Sequence, residues 1–258
     1  MKFLIGKFIF RFSRTILAKF GYNISLGSTT LEYPELNKKE VEFIKKIFDD
    51  SLTMTSFDSL VTLALACKYL VRNGIEGDFV EAGVWRGGSS IVAKKFLSGN
   101  RNFYLYDTYK GMTKPTVHDY RIGSESHVGT LNKWNEFNKE THNDWVFASL
   151  NEVRNNFKRF NLLDSTLMFM EGDIREILTL ENIPDRICLL RLDTDFYDST
   201  LIELQVLWPL LSPGGVLILD DYGHWDGARR AVDEYFELNN ENLMVPIAGG
   251  GGRIILKR

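Results

Sequence analysis

Cysteine and histidine are scarce in this chain, two and four among 258 residues, and that scarcity narrows its chemistry. Cys67 and Cys188 each lie inside an apolar run, LALACKYL and RICLLRL. No close cysteine pair and no Cys/His spacing accompanies them, which disfavours a zinc site and a disulfide framework. Buried reduced thiols in a cytoplasmic, reducing compartment are expected instead. Basic excess is missing as well: the formal net charge is −3, so there is no electrostatic footprint for nucleic acid. No apolar stretch runs uninterrupted long enough to span a bilayer. Internal repeats and low-complexity segments are absent, and no G-x-G-x-x-G dinucleotide fingerprint occurs. What remains, at 44% hydrophobic and 25% charged residues, is the composition of a globular domain long enough for one full core.

Residues 1–26 stand apart. They carry Lys2, Lys7, Arg11, Arg14 and Lys19, no acid, and a set of Phe, Leu and Ile between them. The basic residues interrupt the apolar run too often for a secretory signal. The pattern predicts a basic amphipathic helix, able to lie at a membrane interface as a peripheral contact, to pack on a partner subunit, or to pack on the protein itself. The remainder, 27–258, is expected to form the main domain.

Helices are predicted over 38–48 and 57–72, the second capped by Thr55 or Ser56 and ended by Gly74. Strand 78–83, the turn WRGG and a helix over 89–97 follow, then strand 102–107. Segment 111–148 has no clear period and reads as a lid over the active edge. S-L-N-E at 149–152 makes a capping box for the next helix. Strands at 166–171, 187–193 and 216–221 alternate with helices at 174–180, 199–211 and 227–238. Two last segments, 243–248 and 253–258, are joined closely enough to pair antiparallel. Alternating strands and helices imply a parallel α/β sheet with right-handed crossovers.

The chemistry gathers at strand ends. LLRLDTDFYDST ends a strand in Asp193, with Asp195 and Asp198 just beyond, and GGVLILDDYGHW ends another in Asp220-Asp221. Open α/β sheets bind ligands at that edge. Several carboxylates there repel one another unless a cation or protons relieve them, and Mg²⁺ takes oxygen ligands of this kind. In EAGVWRGG, the glycines permit a tight turn and close approach of backbone N–H groups to a ligand. Asp107 ends the next strand, where a carboxylate can accept both hydroxyls of a ribose. Glu81 repels a pyrophosphate but attracts an ammonium, which favours S-adenosylmethionine over a dinucleotide. Asp173 and Ile174 follow the third strand, where an adenine would lie, although Asp173 serves equally well as a helix cap.

The blocks EAGVWRGGSS, YDTYKGM, SLNEVRNNF, LRLDTDFYDST and LSPGGVLILDDY, in that order, resemble the macrocin O-methyltransferase (TylF/MycF-type) family, from about Thr53 to about Phe236. The resemblance implies a Rossmann-like class I methyltransferase fold: a mostly parallel seven-stranded sheet, helices on both faces and a C-terminal antiparallel hairpin. It implies methyl transfer from S-adenosylmethionine to a sugar hydroxyl with Mg²⁺. By residue, it suggests Asp193, Asp220 and Asp221 as metal ligands. Thr55, Ser56, Glu81, Gly83, Trp85, Ser89 and Asp107 become cofactor contacts, with Asp173 and Ile174 near adenine. Catechol-type relatives of the family place a lysine base where this chain has Phe196, so the base must come from elsewhere. His142 is the first candidate and His224 the second, with His118 and His127 also in the lid. A sugar or glycoside acceptor and a homo-oligomeric assembly are expected. The competing readings are an NAD-dependent sugar oxidoreductase or epimerase, for which Tyr106 and Lys110 have the Tyr-x-x-x-Lys spacing, and a membrane-docked protein of the same fold without turnover.

Overall fold

The computed structural model describes residues 33–239 and 244–258. The expectation for residues 1–26 lies outside the described residues. The chain divides into Met1–Asn37 and Lys38–Arg258, and the second unit carries everything below. Among the described residues, no helix is long and apolar enough to cross a membrane.

Helix α1 (Lys38–Asp49) buries Ile44 and Ile47, and α2 (Phe57–Arg72) buries Leu60, Leu63, Ala64, Cys67 and Leu70. Ser56 rather than Thr55 caps α2, accepting from the Ser59 amide at 3.1 Å. At its other end Gly74 takes a left-handed φ of 63°, and the Ile75 amide reaches back to the Leu70 carbonyl at 3.0 Å. This is the C-terminal closure a glycine makes cheaply.

Strand β1 (Asp78–Ala82), α3 (Gly88–Phe96), β2 (Phe103–Asp107), α4 (Val128–Phe137), α5 (Leu150–Arg159), β3 (Leu167–Glu171), α6 (Ile174–Ile177), β4 (Ile187–Leu192), α7 (Tyr197–Leu207), β5 (Leu211–Leu219), α8 (Asp226–Asn239), β6 (Met244–Pro246) and β7 (Arg253–Leu256) complete the order. The seven-stranded sheet runs β3-β2-β1-β4-β5-β7-β6. Its first five strands are parallel, while β7 pairs antiparallel with both β5 and β6. The Rossmann-like architecture with a C-terminal hairpin is therefore present.

Burial explains the order. Strand β4 is buried at every position, as a central strand with covered faces must be. Val80, Leu190, Leu192, Leu217 and Leu219 share one cluster with Leu204 of α7 and Val232 of α8. Alternation sends Glu81 and Arg191 to the opposite face, where Ser90 of α3 donates to Glu81. The largest departure from expectation lies between α7 and β5. Helix α7 ends at Leu207, Trp208–Leu210 form a 3-10 turn, and β5 starts at Leu211, taking in the residues expected as a turn. Ser149 caps α5 as predicted, at 3.2 Å from the Glu152 amide. The reciprocal half of that box is replaced by an ion pair, because Glu152 turns to Arg86 at 3.0 Å.

The lid contains α4 and is pinned at several points. Trp145 packs with Phe196 and Trp225, ring centroids 5.4 to 6.4 Å apart. Asp119, buried, accepts from the Thr116 amide and hydroxyl and from the Tyr197 amide at 2.8 Å. Helix α7 has no side-chain cap of its own. Asp198 and Ser199 fall inside its first turn, so the lid supplies the cap across 78 residues of chain. Asp119→Ala strands three donors at once. It should cost about 2 kcal/mol and lower the melting temperature by about 4–8 °C, with Asp119→Asn milder. An unchanged thermal transition would contradict this role.

Candidate active site

A cleft of about 610 Å³ lies over the carboxyl edge of the parallel strands. Its floor is made by residues just past β4 and β5, and its roof includes Met112, Thr113, Arg121 and Val146 of the lid. Residues of the 111–148 segment thus line the cleft.

Asp193, Asp220 and Asp221 converge there, with one oxygen from each all within 4.8 Å of one another. They are not free of cations. Arg191, 2% exposed, donates through one nitrogen to Glu81 and to Asp193, both at 2.7 Å. Its other terminal nitrogen stands 3.0 Å from Asp220, an ionic contact without hydrogen-bond alignment. Glu81 and Arg191 are register partners on adjacent strands, which is why the pair forms. Thr55 donates to Asp220 at 3.0 Å, and the Asp195 amide donates to Asp221 at 3.0 Å. Each of the three carboxylates therefore spends a named oxygen on a protein donor. Each still has acceptor capacity, since a carboxylate offers about four lone-pair sites. An oxygen-only set of this kind suits Mg²⁺.

The electrostatics are strained. Burial pushes the Asp193 carboxyl well above the usual carboxylate range; Arg191 pulls it back, and Asp220 and Asp221 push it further. Asp221 is raised by burial and then by Asp195 and Asp220. Asp195, at a left-handed φ of 66°, is pushed up to about 7 by burial and then by Asp193.

On the other side, Thr55, Ser56, Gly83, Trp85, Ser89, Asp107, Asp173 and Ile174 all line the cleft. Glu81 does not. Arg191 and Ser90 occupy both its oxygens, so its ammonium-attracting role is replaced by an internal ion pair. Asp107 is also more committed than expected. It accepts from the Val84 and Trp85 amides at 2.8 Å and from the Tyr109 amide at 2.7 Å. The Thr108 hydroxyl adds a long fourth bond at 3.5 Å, so a ribose hydroxyl has room only where it displaces that one. The same bonds, with Gly87 to Val84 and Gly88 to Leu52, use the turn N–H groups expected to meet a ligand. At Gly83, φ 84°, an added Cβ would sit 1.9 Å from the Asp193 carbonyl oxygen. Only glycine lets the turn approach the acid edge. Asp173 caps α6, accepting from the Arg175 amide at 3.0 Å, and it lines the cleft as well.

The two histidines separate. His142 is outside the cleft lining: it pairs with Asp144 at 2.9 Å and stacks on Phe147 at 4.6 Å. A small Asn138–Asn143 bridge holds that corner of the lid together. His224 lines the cleft, its Nε2 accepting from the Gly251 amide at 3.2 Å. Phe196 is packed in the lid's aromatic cluster. Tyr106 donates to the Asn182 carbonyl and Lys110 pairs with Glu171 at 3.3 Å, so they form no redox pair. Arg191, Arg121 and Asp119 were not singled out from sequence. Arg191 had a signal, since a charge inside an apolar strand must find partners.

The strand order, the hairpin and a cleft at the acidic edge define a class I S-adenosylmethionine-dependent methyltransferase. A model of the macrocin O-methyltransferase (TylF) family matches residues 49–248, and the chain belongs to that family of O-methyltransferases. It is 36% identical over 188 residues to 8-demethyl-8-(2,3-dimethoxy-alpha-L-rhamnosyl)-tetracenomycin-C 4'-O-methyltransferase of Streptomyces olivaceus, covering 71% of this chain and 67% of that one. It is 34% identical over 188 residues to mycinamicin III 3''-O-methyltransferase of Micromonospora griseorubida, covering 71% and 69%. Among solved structures, the O-methyltransferase NovP superposes with a TM-score of 0.68 at 28% identity, over 80% of this chain and 81% of that one. An O-methyltransferase from Bacillus cereus in complex with SAH shares the fold, with a TM-score of 0.52 at 16% identity over 89% and 94%.

Arg191→Met would leave Glu81 buried, and Asp193 half-buried, without their cation. Breaking such a pair costs about 3–5 kcal/mol, so chemical denaturation should show a loss of that size. Adding Glu81→Gln should return part of it. A midpoint unmoved by Arg191→Met would refute the network's structural weight.

Proposed function

We propose that the protein transfers a methyl group from S-adenosylmethionine to a hydroxyl of a sugar, on a glycosylated natural product or a related glycan, with Mg²⁺ held by Asp193, Asp220 and Asp221. The observation that carries this reading is the convergence of those three carboxylates at the floor of the cleft. The name of the Streptomyces olivaceus relative, a methyltransferase of a rhamnosyl-bearing compound, supports the acceptor class.

The cleft divides the work. Gly83, Trp85 and Ser89 form the methionine side, Asp107 takes a ribose hydroxyl in place of its long bond from Thr108, and Ile174 provides an apolar surface for the adenine. Thr55 bridges the halves, since it lines the cleft while its hydroxyl holds Asp220. A bound Mg²⁺ supplies a Lewis acid that makes a sugar hydroxyl more acidic. The chain's own contribution is mainly position. Holding acceptor oxygen and donor methyl in line can supply about 7–11 kcal/mol, and the lid excludes water from that contact.

His224 is the proposed base. Its Nε2 accepts from Gly251, so the neutral ring carries its proton on Nδ1. To accept a hydroxyl proton at Nε2 it gives up that long bond. Base catalysis contributes roughly 10²–10⁴-fold.

Methyl transfer from labelled donor to a panel of glycosides, with EDTA and with Mg²⁺ restored, tests the whole. Turnover should vanish with EDTA and return with Mg²⁺; turnover indifferent to EDTA would sink the metal assignment. Asp220→Asn and Asp221→Asn should each lower kcat by at least about 10²-fold while SAH still binds. His224→Gln should cost about 10²-fold and His142→Ala nothing. A histidine pair with the opposite ranking would reassign the base.

A further inference from the structure

Two arginines line the cleft, and they differ in what they are free to do. Arg191 is buried and bound to three acids. Arg121 comes from the lid, is exposed, and makes no ion pair or hydrogen bond through its side chain among the described residues. Its field reaches Asp195, but no carboxylate is close enough to pair with it.

Arg121 is nevertheless held in place. Its guanidinium lies over the Trp225 ring, 4.3 Å from the centroid, and its backbone bridges to Trp225. On either side, the Ile122 amide donates to the His224 carbonyl and the Asp226 amide to the Tyr120 carbonyl, both at 2.9 Å. Asp119, two residues earlier, is the buried clasp on α7. A cation fixed this way loses little rotamer freedom when it binds a ligand. Its five N–H groups form a planar fork that suits the two oxygens of a carboxylate or phosphate.

The acids across the cleft sharpen the point. Asp193, Asp195, Asp220 and Asp221 line the same space, so an anionic group near them would be repelled. An anionic acceptor has one favourable orientation, with its hydroxyls toward the aspartates and its negative group toward the lid. We infer that Arg121 determines acceptor specificity by binding a carboxylate or phosphate group carried by the sugar, as in a uronic acid or a sugar phosphate. This rests on the sugar O-methyltransferase reading above and names the acceptor's charge class.

The test uses the full chain, saturated with SAH and Mg²⁺, titrated by calorimetry with methyl glucuronoside, glucose 1-phosphate and methyl glucoside. At least one anionic probe should bind the parent about ten- to a hundredfold more tightly than the neutral one. A gain for the uronoside alone assigns a carboxylate; a gain for the phosphate alone assigns a phosphate. Arg121→Gln should erase the preference and Arg121→Lys keep part of it, with SAH affinity unchanged in both. Equal binding of all three probes by the parent, or a preference that survives Arg121→Gln, overturns the inference. Methylation of an anionic sugar by Arg121→Gln at the parental rate would also overturn it while leaving sugar methyl transfer standing. An Arg121-dependent anion preference, with no sugar methylated by the parent, would instead count against sugar methyl transfer.

Discussion

A single buried guanidinium organises the catalytic edge. Arg191 sits in β4, between β1 and β5, and so reaches acids from both neighbouring strands and from its own strand end. Without it, Glu81 would be a buried charge with only Ser90 for company, and Asp193 and Asp220 would face each other unscreened. Arginine suits this position because its charge is permanent and its donors fan out in a plane. It aligns the carboxylates without exhausting their acceptor capacity.

Around that centre the two halves of the cleft are built differently. The cofactor side is rigid sheet edge: Asp107 ties the β1 turn to β2, and Gly83 lets the turn settle against Asp193. The acceptor side is lid, held through Asp119 at the start of α7 and through the Trp145, Phe196 and Trp225 rings. A residue far from the acid cluster therefore holds the lid in place. Arg121 belongs to that half.

Much of this was legible in the chain. Apolar runs closed by acids marked β2, β4 and β5, and their separation by helical segments placed Asp107, Asp193 and Asp220-Asp221 on one edge. Side-chain direction was not legible. His142 looked well placed because it precedes a matching block, yet Asp144 and Phe147 hold it elsewhere. Glu81 was expected to face a ligand because it stands beside the glycine turn; its partner, Arg191, lies 110 residues away in sequence. The cap of α7 comes from the lid, 78 residues away.

The order of residues determined which elements form and where each strand stops, because burial of apolar runs and the polarity of their ends are local properties. Tertiary structure alone decided which charges meet. Pairing depends on strand register and on the packing of a lid whose aperiodic sequence encodes no local conformation, and those contacts join residues tens of positions apart.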